Sequence, residues 1–306
     1  MDIDDFYNFI TLIKKQKMMT KKMMAIATIA LGLLGVSCSS DDGPPVANLA
    51  IETIGLENLT GGSTYQGWLI VNGQAVPTNR FTNPAGTVNL TVLASDLSDA
   101  TEFVLTVEPV GDTDNVPSNA KILTGNFNGS NSATLSFAPV VADLSSTAGQ
   151  FFLATPTDDV DGNDEFGVWF MNGTGAGLTL PPLSSGWKYE GWVDFGNVTV
   201  STGTFSEVDA RDDANFFSGS GGTLPDFPGE DFLVLPSQIP LTGVTFPAAV
   251  TSRKVFITVE PFEDKDPTPF FIVPLSGTAG ITTGPANPVS MISDSGVPSG
   301  RATRPN

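Results

Sequence analysis

The side chains that most often carry out chemistry are almost missing from this 306-residue chain, which has no histidine and a single cysteine, Cys38. The commonest general base and zinc ligand is therefore absent, an intrachain disulfide is impossible, and any cysteine nucleophile would have to be Cys38 itself. Carboxylates are plentiful: 33 Asp and Glu stand against 14 Lys and Arg. Hydrolysis by paired carboxylates needs two acids on opposite walls of a cleft, and no spacing singles out such a pair. A nucleophile elbow, a phosphate-binding loop and a dinucleotide fingerprint are also lacking. The expectation is a protein without enzymatic activity.

Two groups of residues have spacings suited to binding. In TDDVDGNDE, Thr157–Glu165, the residues Asp159, Asp161 and Asn163 alternate as in the first half of a calcium loop. The second half departs from that pattern, with Asp164 in place of the turn glycine and Phe170 in place of the bidentate glutamate. Calcium at Asp159, Asp161 and Asn163 is the one cofactor expectation, set against a solvated acidic loop. Asp112 with Asp114, and Asp264 with Asp266, form similar but weaker pairs. The second group is aromatic. Tyr65 and Trp68, like Tyr189 and Trp192, are three apart, so in a strand they point to opposite faces. One ring of each pair is expected in the core and the other outward or facing the other domain; an outward ring, with Trp169 or Trp187, would form a platform for a glycan or peptide. The competing expectation is packing, with Gly67 and Gly191 letting a neighbouring ring lie across the strand.

Cys38 ends the stretch MMTKKMMAIATIALGLLGVSC, in which lysines precede an apolar run and small residues lead to the cysteine. Ala25–Val36 is too short to cross about 30 Å of hydrocarbon stably. The pattern is that of a lipoprotein signal cleaved before Cys38, which would then carry a diacylglyceryl thioether and a fatty acyl chain, enough for stable anchoring. Leu34 stands one residue earlier than the usual lipobox leucine. Residues 1–13 read as an upstream extension, with translation expected to start at Met18, Met19 or Met23. Without its first 37 residues the chain loses five lysines and three aspartates, leaving 9 basic and 30 acidic side chains and a formal charge of −21. Such a surface repels phosphate, which makes nucleic acid an unsuitable partner.

The positioning elements come from a duplication. YQGWLIVNGQAVPTNRF at Tyr65–Phe81 matches YEGWVDFGNVTVSTGTF at Tyr189–Phe205 with an offset of 124, and FVLTVEP at Phe103 matches VFITVEP at Val255 with an offset of 152. The growth in offset places 28 extra residues in the second copy, within a Gly-, Pro- and Asp-rich stretch that reads as a long surface loop. Short Val-, Ile-, Thr- and Phe-rich segments between Gly, Pro and Asn turns predict an all-β protein of two tandem antiparallel sandwiches. The expected boundaries are 1–37 extension and signal, 38–46 lipidated cysteine and acidic tether, 47–139 first copy, 140–148 linker, 149–277 second copy with the loop 206–254, and 278–306 a disordered tail.

Each copy resembles the extracytoplasmic C-terminal domain of anti-sigma-K factors of the RskA type. The residues that carry the resemblance are Tyr-x-Gly-Trp at Tyr65–Trp68 and Tyr189–Trp192, Ser201–Phe205, and Thr-Val-Glu-Pro at Thr106–Pro109 and Thr258–Pro261. The SSDDG after Cys38 resembles the serine and acidic run of surface-exported lipoproteins of the Bacteroidetes. The resemblance implies an all-β domain outside the membrane and brings no catalytic residues. No spanning helix or cytoplasmic sigma-holding domain is read from the chain. The expectation is therefore not an anti-sigma factor but an envelope module anchored by lipid to the outer or inner membrane, periplasmic or surface-exposed. It would act by binding, as an interaction or sensory module that reports to a separate membrane signalling protein; the alternatives are glycan capture and a purely structural role.

Overall fold

A computed structural model describes residues 43–305 apart from Ser295; the signal, Cys38 and most of the tether lie outside the described residues. The chain from Pro44 onward forms one compact unit. The first repeat contributes β1 (Val46–Ile54), β2 (Thr64–Val71), β3 (Gln74–Phe81), β4 (Thr87–Leu93), the short helix α1 (Ala94–Asp99), β5 (Glu102–Glu108), β6 (Lys121–Asn126) and β7 (Ser132–Ser136). After β8 (Ala148–Phe151) come β9 (Gly167–Trp169), β10 (Met171–Asn172), β11 (Gly175–Ala176) and β12 (Leu178–Thr179). The second repeat continues with β13 (Trp187–Asp194), β14 (Thr199–Phe205), β15 (Gly229–Asp231), β16 (Lys254–Pro261), β17 (Leu275–Thr278), β18 (Val289–Ser293) and β19 (Ser299–Thr303).

The fold is all-β and its two large sheets are antiparallel. One has the order β3-β2-β5-β6-β7-β19-β1-β4 and the other β12-β8-β18-β17-β16-β13-β14. Local sequence explains the ladders. In the β2–β3 hairpin, Asn72 and Gly73 both take positive φ, the two-residue turn whose twist matches that of its strands. Alternation in β1 and β4 turns Leu49, Ile51, Leu90 and Val92 inward. The first sheet bends where β6 and β7 share only the Thr124–Ser136 pair. Its edges then approach each other, and the Thr91 N–H donates to Asn79 Oδ1 across them at 3.0 Å.

Laid over one another through the offsets of 124 and 152, the seven strands of the second sheet follow the order of the first, with β8 holding the place that β19 holds in the first; β4 has no counterpart. Yet β8 follows the last strand of repeat one, and β19 the last strand of repeat two. Each repeat thus gives its final strand to the sheet of the other. β19 lies between β7 and β1, with Ala302 opposite both Ala133 and Ile51, and β8 lies between β18 and β12, with Gly149 opposite both Met291 and Leu178.

This arrangement corrects three expectations. Residues 278–306 are not a disordered tail: they supply β18 and β19, and Arg304 stacks over the Phe127 ring at 3.9 Å. The two strands give little sequence signal because each is short and only Met291 and Ala302 are turned fully inward. The segment 140–148 is not a free spacer, since Val141 and Leu144 are buried and the Val141 carbonyl accepts the Ser184 N–H at 3.0 Å. Nor is 206–254 a surface loop. It buries Phe217, Phe232, Ala248 and Val250, and Phe217, Phe232 and Phe246 pack with Phe195 in one aromatic cluster. The irregular spacing of these phenylalanines gives no periodic signal.

Removing residues 299–306 would leave β7 and β1 without their shared neighbour. The expected outcome is a loss of more than about 4 kcal/mol of stability, the scale reserved for loss of a core element, read as a lowered urea midpoint and a tendency of the open strand edges to aggregate.

Candidate functional site

The repeated motifs meet in space. β2 pairs with β5, and β13 with β16, in the same register, so Tyr-x-Gly-Trp lies beside Thr-Val-Glu in both repeats. Trp68 Nε1 donates to Thr106 Oγ1 at 2.8 Å, the Thr106 hydroxyl donates to Glu108 Oε1, and Glu108 Oε1 also accepts the Ser118 N–H at 3.2 Å. The second repeat has the same chain of bonds: Trp192 Nε1 to Thr258 Oγ1 at 2.8 Å, Thr258 to Glu260 Oε1, and the Phe270 N–H to Glu260 Oε1 at 2.8 Å. The tyrosines anchor the preceding loops, with Tyr65 Oη donating to the Glu57 carbonyl at 2.9 Å and Tyr189 Oη to that of Pro181 at 2.7 Å. Burial raises the pKa of both phenols. The glycine between them is fixed by close packing: a Cβ on Gly67 would lie 2.7 Å from the Phe103 ring, and one on Gly191 2.8 Å from the Phe170 ring.

The structure places the aromatics in packing, as one of the two expectations held, and not in a platform. Tyr65 and Trp68 do point to opposite faces, for they stand opposite Val107 and Val104. Neither ring faces outward, however: Trp68 is 0% exposed and Trp192 2%. The second face of this part of the sheet is covered and carries its own polar network, with a ladder irregularity beside each Trp. Trp169 and Trp187 are buried as well. Trp169 Nε1 donates to Asp231 Oδ1 at 2.7 Å, and Trp187 Nε1 donates to the Lys121 carbonyl of the other repeat at 3.0 Å. No aromatic platform is formed by Tyr65, Trp68, Trp169, Trp187, Tyr189 and Trp192.

In the acidic loop of Asp159, Asp161 and Asn163, side chains bond to one another. Asn163 uses its oxygen to accept from Thr155 at 2.7 Å and its nitrogen to donate to Asp158 at 2.7 Å. Among the described residues, no group of three or more acids is gathered closely enough to hold a metal ion.

Sequence reasoning missed a set of buried carboxyls. Asp231 accepts from Thr157 N and Oγ1 as well as from Trp169, and Glu230 accepts from Phe217 N and Ser218 Oγ. Burial, partly offset by these bonds, pushes Asp231 up to about 6, Asp212 to about 7, and Glu230 and Glu260 to about 8. The Thr-x-Glu spacing of both relays is visible in the sequence; Glu230 and Asp231 carry no such signal.

The first relay ends at the seam between the repeats, and the second one residue before Pro261, which lines the same seam. Glu108, Asp112 and Val116 from one side and Phe262, Glu263 and Asp264 from the other line a recess of about 330 Å³. Its floor is a close backbone approach, since a Cβ on Gly186 would lie 2.0 Å from the Asn119 carbonyl oxygen. Val116 and Phe262 are well exposed at its rim, 65% and 57%. The repeats differ here. In the first, Arg80 holds Asp112 Oδ2 at 2.8 Å and Gln66 Oε1 at 2.8 Å. In the second, Glu190 and Thr204 occupy the positions of Gln66 and Arg80, so the counterpart of that guanidinium is a hydroxyl and the counterpart of that amide a carboxyl. The chain matches no protein-family model, no curated protein and no solved structure.

Two outcomes follow. Trp192→Phe, which keeps a ring but removes the donor, is expected to cost about 1–3 kcal/mol by leaving Thr258 underbonded, measured by urea unfolding. The raised carboxyls bind protons more tightly folded than unfolded. Their contribution is therefore fully present below about pH 4 and is lost as pH rises through 6 to 8. Calorimetry should show Tm falling across that window, with a shallower fall in Glu260→Gln.

Proposed function

We propose that the chain is a lipid-anchored, non-enzymatic interaction module of the bacterial envelope, held at the membrane through Cys38 and engaging a protein partner with the seam between its repeats. The observation that carries this reading is the seam recess itself, where exposed apolar side chains surround carboxylates contributed by both repeats. Apolar groups combined with a few convergent polar ones are what binding sites provide. The four tryptophans are committed to packing and internal hydrogen bonds, which removes the surface that glycan capture would use. The likeness of both repeats to RskA-type domains supports a partner in envelope signalling, a separate membrane-spanning protein to which the module reports. Among the described residues no helix is long and apolar enough to cross a membrane.

Crosslinking in living cells, followed by purification and identification of the attached species, tests the reading. Capture of a membrane-spanning signalling protein is the expected result; capture of a polysaccharide or of nothing would overturn it. In the same cells Cys38→Ala should leave an unprocessed precursor without attached acyl chains, checked by mass spectrometry.

A further inference from the structure

The relays leave one buried atom unused. Glu108 is 0% exposed and lines the seam recess, and its Oε1 takes both Thr106 and Ser118, yet Oε2 has no hydrogen-bond partner. A buried carboxylate oxygen without a donor is costly to maintain. Burial raises the Glu108 pKa, and the Asp112 carboxyl beside it, another acceptor, raises it further. Arg80 offers no relief, since it is directed to Asp112 and Gln66. Asp114, Glu263 and Asp264 complete the acidic wall, and among the described residues no lysine or arginine lines the recess.

The shape of the space selects the kind of cation. The acids lie around a volume of about 330 Å³ without converging on a point, and among the described residues no trio of them is close enough to ligate an ion. Val116, Pro117 and Phe262 add apolar surface to the same walls. A long aliphatic stem carrying a charged head meets both demands, with the stem on the apolar rim and the head among the carboxylates. Phe262 already accepts such a group on its ring, with the Lys188 ammonium 6.0 Å from the centroid. A partner that presents this side chain from its own backbone would also cover the exposed Val116 and Phe262.

Building on the interaction reading above, we propose that the seam recess is a docking site for a lysine or arginine side chain of a partner polypeptide, with Glu108 Oε2 as the deepest acceptor. The surrounding charge of −21 on the chain after residue 37 would steer a basic segment toward it.

The test uses the full chain and three short capped peptides, Gly-Arg-Gly, Gly-Lys-Gly and Gly-Gln-Gly, followed by amide chemical shifts. The arginine or lysine peptide should shift Ser118, Asn119, Gly186 and Phe262, and the glutamine peptide should not. Glu108→Gln, which keeps an acceptor for Thr106 and Ser118, should weaken binding about tenfold or more. Phe262→Ala, at the exposed rim and outside the relays, should weaken it as well and guards against misfolding of the first variant. Absence of shifts with both basic peptides, or binding by both variants equal to that of the unaltered chain, would overturn the proposal. So would tighter binding of putrescine or calcium chloride, which would make a free amine or an ion the ligand. If the peptides bind as expected but cells yield no protein partner, the docking site stands and the signalling reading falls. If a signalling partner is captured equally well by Glu108→Gln, the signalling reading stands and the docking site falls.

Discussion

In each repeat a tryptophan indole donates to a threonine hydroxyl, which donates to a glutamate that receives a backbone N–H from the loop leading to the next strand. These bonds tie β2 to β5 to the loop before β6, and their counterparts tie β13 to β16 to the loop before β17. The polar atoms are out of water, so each link is needed to satisfy the next, and a partly satisfied chain would be worse than an apolar one. The tyrosine and glycine of the same motif serve the opposite face, fastening the incoming loop and leaving room for a phenylalanine ring. Five residue types recur in order because one three-dimensional unit requires all five.

Around this common unit the repeats have diverged. The first covers its core with β4 and α1; the second uses an irregular segment whose phenylalanines pack together and whose buried acids bond to backbone and hydroxyl groups. The first engages Asp112 and Gln66 with Arg80, whereas the second places Glu190 and Thr204 at the positions of Gln66 and Arg80. The asymmetry matters at the seam, where the two halves present acids toward one another and the Arg80 guanidinium of the first has no counterpart in the second.

Much of the fold is legible in the sequence. Strand alternation identifies Phe103, Leu105 and Val107 as one face of β5, and these three do enter the core. The duplicated motifs mark the central strands of both sheets. The spacing of Tyr65 and Trp68 correctly separates their faces but cannot show that both faces are covered, because alternation reports direction and not what lies opposite. The final strands are hidden for a related reason: Ser299–Thr303 has one inward side chain, Ala302, and looks polar throughout. The seam is less accessible still. Asp112 and Asp264 are recognisable as equivalent acids, yet nothing local says that loops so far apart in the chain line one recess.

The exchange of final strands bears on ancestry. A single repeat, cut from this chain, contains every strand of its sheet except the one supplied by its sister, and carries at its end a strand that belongs elsewhere. The same exchange would arise in a symmetric homodimer of single repeats whose two identical chains traded those strands and were joined head to tail. Symmetry would have given both halves the same acids at their contact. The differences between Arg80 and Thr204, and between Gln66 and Glu190, are changes that a pair of identical chains could not carry, whereas two repeats encoded separately within one chain can each vary alone.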